Sequence, residues 1–182
     1  WEYENAHRTY PNIRLLIVGP GKPDHVTRGI YQAISNEDIV FVGKVAAEEL
    51  PRYYKTADIC CFPAVHGESF GLVVAEAMAS GKPVVATNID GYRNVVLGNN
   101  NSIELNSRGF FAAETGVLVE PRSVASLKAG LEELINKPEL RSKNGAAARE
   151  LVVRNYSWEI VTKKILDVYE EVLVSPTPTR AS

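Results

Sequence analysis

Glu68-Ser69-Phe70-Gly71-Leu72-Val73-Val74-Ala75-Glu76-Ala77-Met78-Ala79-Ser80-Gly81-Lys82-Pro83 decides how the rest of this chain reads. Both ends carry the marks of helix ends. Ser69 can cap a first turn, Gly81 suits the left-handed residue after a last turn, and Pro83 stops continuation. Between them, Phe70, Leu72, Val73, Val74, Ala75, Ala77, Met78 and Ala79 leave almost no polar face, the pattern of a buried helix. One carboxylate, Glu76, stands inside this run, and a second, Glu68, just before it. A buried charge without a partner is costly, so what Glu68 and Glu76 hold decides what the chain does.

Outward from this helix the sequence alternates. Arg14 to Gly19, Ile39 to Gly43, Asp58 to Pro63, Pro83 to Thr87 and Gly116 to Glu120 are short apolar runs of the kind that form buried parallel strands. Helices are predicted near Asp24 to Ile34, after a turn within Ala46 to Thr56 where Pro51 intervenes, and over Asp90 to Val96. Three more follow: Val124 to Ile135, Pro138 to near Asn155, and Trp158 to Val174 behind Ser157 as cap. Leu97 to Thr115 reads as an irregular surface excursion. The fold class is therefore α/β, a doubly wound parallel sheet of Rossmann type. It occupies one domain, residues 1–174, with a disordered tail at 175–182.

Length and composition agree: 182 residues with 45% hydrophobic side chains suffice for one domain with a sizeable core. A net charge of −2 gives no pull towards nucleic acid or an acidic membrane surface. No apolar run is long enough to span a bilayer, and no signal-peptide pattern opens the chain. Cys60 and Cys61 are strand neighbours pointing to opposite faces, so they read as small buried hydrophobes of a reducing compartment rather than a disulfide. The chain opens on Trp1 and its one methionine is Met78, the expectation for a piece of a longer protein.

Doubly wound sheets bind ligands beyond the carboxyl ends of their strands. The loops leaving those ends are Gly19 to Pro23, Gly43 to Ala46, Pro63 to Ser69 and Thr87 to Gly91. If Glu68 and Glu76 both lay in helix they would stand about 12 Å apart along its axis, a span suited to an extended ligand. The N–H groups of Ser69, Phe70, Gly71 and Leu72 would form an anion site between them, at the positive end of the helix dipole. The other reading pairs Glu76 with Lys82 or Arg93 and leaves Glu68 an exposed loop acid. Lys44 faces either the crevice or solvent. Gly19-Pro20-Gly21 fits a plain tight turn better than a dinucleotide fingerprint, because the third glycine is missing. His66 has no visible acid or nucleophile beside it, and no metal-ligand spacing occurs.

At these residues the sequence resembles the C-terminal, donor-binding domain of retaining glycosyltransferases with the GT-B fold, group 1 (family 4) type. The resemblance rests on Glu68-Ser69-Phe70-Gly71-Leu72, Glu76 eight positions on, and Ala77 to Ala86. It extends through Leu16 to Gly21, Phe41 to Val45, Tyr54 to Asp58, Gly116 to Pro121 and Tyr156-Ser157-Trp158. Gly67 to Gly71 and Asp90 to Arg93 are similar to the phosphatidylinositol mannosyltransferase branch.

The resemblance implies transfer of a hexose from a nucleoside diphosphate sugar, such as GDP-mannose or UDP-glucose, to an acceptor hydroxyl with retention. It implies that Glu68 bonds the donor sugar, which makes Glu68 the catalytic candidate, and that Ser69, Phe70, Gly71 and Leu72 contact sugar and diphosphate. Glu76 would bind the ribose, Lys44 and Val45 would lie beside the base, and Gly19, Gly21 and His66 are further candidates. No metal is expected, because helix dipole and basic side chains would stabilise the leaving diphosphate. Family members carry an earlier strand with a diphosphate-gripping Arg and Lys, and an N-terminal domain that supplies the acceptor site. Without them the fragment is expected to bind donor weakly and not to turn over. The expected location is cytoplasmic, with membrane contact through the other half. A nucleotide-sugar epimerase of the same fold and a non-catalytic binding module are the competing readings.

Overall fold

The computed structural model describes residues 10, 12–20, 38–98 and 102–174. The helix predicted near Asp24 to Ile34, Gly21 and the tail at 175–182 lie outside the described residues. The chain divides into two compact units, Trp1–Tyr53 and Tyr54–Ser182.

In the first unit, β1 (Leu15–Val18) and β2 (Ile39–Gly43) pair in parallel, Leu15 opposite Ile39 and Ile17 opposite Phe41. The Gly19 N–H continues the pairing by donating to the Gly43 carbonyl at 2.9 Å. The strands lie where their apolar runs predict, but of their side chains only that of Ile39 is buried. Leu15, Leu16, Ile17, Val40 and Phe41 are all exposed. Among the described residues the sheet has two strands, too few to cover both faces of either. Helix α1 (Leu50–Thr56) straddles the division, Tyr54 onward belonging to the second unit, and it carries Pro51 in its first turn, where a missing N–H costs nothing.

The second unit holds a four-stranded sheet in the order β3 (Cys60–Phe62), β4 (Val84–Thr87), β6 (Gly116–Val119), β5 (Phe110–Ala112). The first three run parallel, as expected. The fourth is new: β5 pairs antiparallel with β6, so part of the predicted irregular excursion is a hairpin. A three-residue strand offers too little alternation to be read from sequence. Asn144 ties the hairpin down, its Nδ2 donating to the Ala113 carbonyl at 3.1 Å. The Thr115 hydroxyl donates to the Val96 carbonyl.

Every residue of β4 and β6 is buried, and alternation sends their side chains to two layers. Val84, Ala86 and Leu118 pack with Val74, Ala77 and Met78 of α2 (Leu72–Ala79), Tyr92, Val95 and Val96 of α3 (Asp90–Leu97), and Ala148, Leu151 and Val152 of α5 (Pro138–Tyr156). Val85, Val117 and Val119 face Ala129 and Leu134 of α4 (Val124–Ile135) instead. Each such side chain contributes about 1.5–3 kcal/mol on burial, which is why these two strands are the rigid centre of the unit. Ser157 separates α5 from α6 (Trp158–Val174), its carbonyl accepting the Val161 N–H at 2.9 Å.

Helix α2 starts later than its sequence suggests. Its N-cap is Gly71, left-handed at φ 91°, with no side-chain cap, so Ser69 does not cap it. The C-terminal signal is correct. Gly81 is left-handed at φ 73°, its N–H donates to the Met78 carbonyl at 2.9 Å, and the Lys82 N–H donates to Ala77 at 3.2 Å.

Two outcomes follow from this packing. A Cβ on Gly145 of α5 would run into the Gly81 carbonyl oxygen. Helix propensity alone favours Ala over Gly by about 1 kcal/mol, whereas overpacking costs about 1–3 kcal/mol. Gly145→Ala should therefore lower the urea midpoint of unfolding; an unchanged or higher midpoint contradicts the close approach. Burial pushes the Cys60 thiol up to about 11, with nearby Lys82 pulling the other way, and the Cys61 thiol also up to about 11. A thiol reagent at pH 8 should therefore label the folded chain slowly and the denatured chain fast, with the folded rate climbing towards pH 11. Rapid labelling of the folded protein at neutral pH would show the two thiols to be accessible and ionised.

Candidate functional site

The two carboxylates belong to the second unit, Glu76 midway along α2 and Glu68 in the loop before it. That loop, Pro63 to Phe70, leaves the carboxyl end of β3 and is held at three points. The Thr87 hydroxyl, at the carboxyl end of β4, donates to the Ala64 carbonyl. The backbone at Glu68 rests on the first turn of α3, where a Cβ on Gly91 would stand 2.5 Å from the Glu68 carbonyl oxygen. The Phe70 ring meets the Tyr156 ring edge-on, centroids 5.4 Å apart.

Under the loop sits Tyr92, buried at 3% exposure and edge-on to Phe62 at 6.2 Å. Its ring lies 2.7 Å from where a Cβ of Gly71 would be, so both space and the positive φ reserve position 71 for glycine. Burial raises the Tyr92 phenol above its ordinary value, and the Glu68 charge raises it further.

Glu68 and Glu76 are both exposed, which corrects the reading of Glu76 as a buried charge. The buried face of α2 is Val74, Ala75, Ala77 and Met78, whereas Leu72 (66%), Val73 (38%) and Glu76 lie on its open side. The polar residue marks the open face, although its neighbours there are apolar. Glu76 accepts a hydrogen bond from the Tyr54 hydroxyl at 2.9 Å. Arg93 is not its partner: it pairs with Asp90 and donates to Asn88 Oδ1 at 3.2 Å. Glu68 makes no hydrogen bond or ion pair with any described residue, so its oxygens are open to a ligand.

The anion position also shifts along the chain. With the helix starting at Leu72, the Val74 and Ala75 N–H groups donate to the Gly71 carbonyl, at 3.0 and 3.2 Å. Among the described residues the N–H groups of Leu72 and Val73 have no backbone acceptor, and they point out from the positive end of the dipole. Ser69 and Phe70 belong to the preceding loop instead. The 12 Å axial span loses its basis, because Glu68 lies four residues before the first helical one.

His66 is an exposed residue of the same loop. Lys44, exposed, and Val45, half-buried, follow β2 in the first unit, as Gly19 follows β1. Among the described residues no group of three His, Cys, Asp or Glu side chains is placed to hold a metal ion, and no helix is long and apolar enough to cross a membrane. A cavity of about 720 Å³ lies apart from both carboxylates, between the Asn106–Gly109 turn and α4. Its polar lining is already satisfied in part, since Arg108 and Glu132 pair at 3.2 Å. The carboxylates and free amides at α2 remain the better candidate. Sequence reasoning missed Tyr54, Gly91 and Tyr92 as parts of it, because contacts between distant residues leave no periodic signal.

Residues 3–151 match the family described as glycosyl transferases group 1. The phosphatidyl-myo-inositol mannosyltransferase of Mycobacterium leprae is 34% identical over 166 residues, which cover 91% of this chain and 40% of that protein. Among solved structures, sucrose-phosphate synthase from Thermosynechococcus elongatus superposes with a TM-score of 0.73 at 27% identity, over 94% of this chain and 41% of that one. Anabaena Alr3699/HepE, in complex with UDP-glucose, shares the fold at a TM-score of 0.72 and 20% identity, over 92% and 43%. The chain thus spans about two fifths of the length of the curated relatives it matches. With this match over most of its length, and with the parallel sheet and loop–helix segment that carry it, the chain belongs to the group 1 glycosyltransferase family.

Proposed function

We propose that this chain forms the donor-binding part of a glycosyltransferase that moves a hexose from a nucleoside diphosphate sugar to an acceptor hydroxyl with retention. One observation carries the reading: two exposed carboxylates flank the start of α2, with the unbonded Leu72 and Val73 N–H groups between them. A nucleoside diphosphate sugar has hydroxyls at both ends and a doubly charged diphosphate in the middle, the same order of chemistry.

In this reading Glu76 accepts from the ribose hydroxyls and Glu68 from the sugar hydroxyls, while the amides at the helix start hold the diphosphate. The bond from the anomeric carbon to the diphosphate oxygen breaks, and the acceptor oxygen bonds to that carbon on the same face. The acceptor proton passes to the departing diphosphate oxygen on that face, and the rest of the diphosphate carries the negative charge. Preorganised N–H groups there stabilise the leaving group without a metal. Lys44 and Val45 for the base, and Gly19 and His66 as further candidates, rest on the resemblance to the family alone. The acceptor site, and any contact with a membrane face, fall to the rest of the full-length protein. A relative named as a mannosyltransferase favours GDP-mannose, and a fold neighbour bound to UDP-glucose keeps that donor in the comparison.

Calorimetric titration of the chain with GDP-mannose and UDP-glucose tests the assignment. Glu76→Ala should weaken binding of the free nucleoside diphosphate about tenfold, the loss of one charge-assisted hydrogen bond. Glu68→Ala should leave that affinity in place and abolish the preference for one sugar over another. If both variants bind every ligand as the parent does, the two acids are not donor ligands.

A further inference from the structure

Glu76 is exposed, yet it is not free to swing. The Tyr54 hydroxyl donates to its Oε2 at 2.9 Å from a position 22 residues earlier in the chain. The Tyr54 ring packs against the same apolar cluster that holds α2, including Val74 and Met78. The donor is therefore fixed by the core and the acceptor by the helix. A carboxylate offers about four lone-pair directions on two oxygens. Tyr54 occupies one, leaving Oε1 and the second direction of Oε2 for a ligand. An unrestrained glutamate would lose side-chain freedom on gripping a ligand, and a bond already made in the free protein removes most of that loss.

We propose that Tyr54 is the positioning residue of the nucleotide site: its hydroxyl holds the Glu76 carboxylate in the orientation that accepts the vicinal hydroxyls of the ribose. The inference rests on the assignment of Glu76 to the ribose made above. Burial and the Glu76 charge both push the Tyr54 phenol well above the ordinary tyrosine range. It therefore stays protonated, and so stays a donor, at neutral pH. Phenylalanine at position 54 would keep the ring in the core and remove the bond alone.

The test compares a ribonucleotide with its analogue lacking both ribose hydroxyls, on the whole chain, by calorimetry. UDP against 2′,3′-dideoxy-UDP serves, or the GDP pair if GDP binds tighter. Tyr54→Phe should weaken the ribonucleotide about five- to tenfold and leave the dideoxy analogue unchanged. Added to Glu76→Ala, it should bring no further loss. Equal weakening of both ligands would make Tyr54 a merely structural residue, and unchanged ribonucleotide binding would leave it without a role; either outcome overturns the inference alone. If the parent chain binds the two ligands equally, or binds neither, the ribose assignment itself falls and takes the inference with it. Circular dichroism and the urea midpoint of Tyr54→Phe establish that the variant is folded.

Discussion

A contact between two backbones sets the candidate site. The Glu68 carbonyl lies so close to Gly91 that no side chain fits between the loop and the first turn of α3. Tyr92, the next residue, fills the space below Gly71 and lies within the field of the Glu68 charge. One turn of α3 therefore fixes both the height of the loop and the point at which α2 begins. The left-handed Gly71 turns the chain from that loop into the helix, and it does so without a capping side chain. Were the loop to lift, Glu68 would move relative to Glu76, and the free amides between them would lose their place.

The contact can hold because both partners stand on the same rigid centre. Strand β4 feeds α3, strand β3 feeds the loop, and the two are joined in register from Cys60–Val84 to Phe62–Ala86. At the carboxyl edge, the Thr87 side chain bonds the loop carbonyl of Ala64, and the Asn88 N–H donates to Val119 at 2.7 Å. These bonds are individually modest, on the order of 1 kcal/mol each. They orient the loops, while the buried valines of β4 and β6 supply the stability that keeps the edge in place.

Much of this was legible in the residues themselves. Regular apolar spacing placed α4 and α6, Pro138 marked the start of α5, and Gly81 with Pro83 marked the end of α2 correctly. The parts that failed did so for tertiary reasons. Ser69 has the chemistry of a cap, but the fit of Gly71 over Tyr92 moved the helix start past it. Phe110–Ala112 became a strand only because β6 lay ready to pair with it. The apolar look of Leu72 and Val73 promised burial, yet both are on the open face. The bond from Tyr54 to Glu76 crosses from one helix to another, a relation that spacing along the chain does not encode.

The exposure of Glu76 changes the physical reason for caring about it. A buried, unpaired carboxylate would have to be justified by function, because its desolvation is so unfavourable. An exposed one needs no such justification, so its significance must come from what surrounds it. Three neighbours provide that: a tyrosine that orients one oxygen, apolar Leu72 and Val73 beside it, and unbonded amides one turn away. Covering this surface with a ligand would remove water from the carboxylate and the amides together. Hydrogen bonds made there would strengthen as the local dielectric fell, whereas the same bonds on an open surface would be worth little. The site thus stores no unfavourable charge in the free protein, and under the proposed function its electrostatic gain would arise only when a ligand of matching hydroxyls and phosphates closed over it.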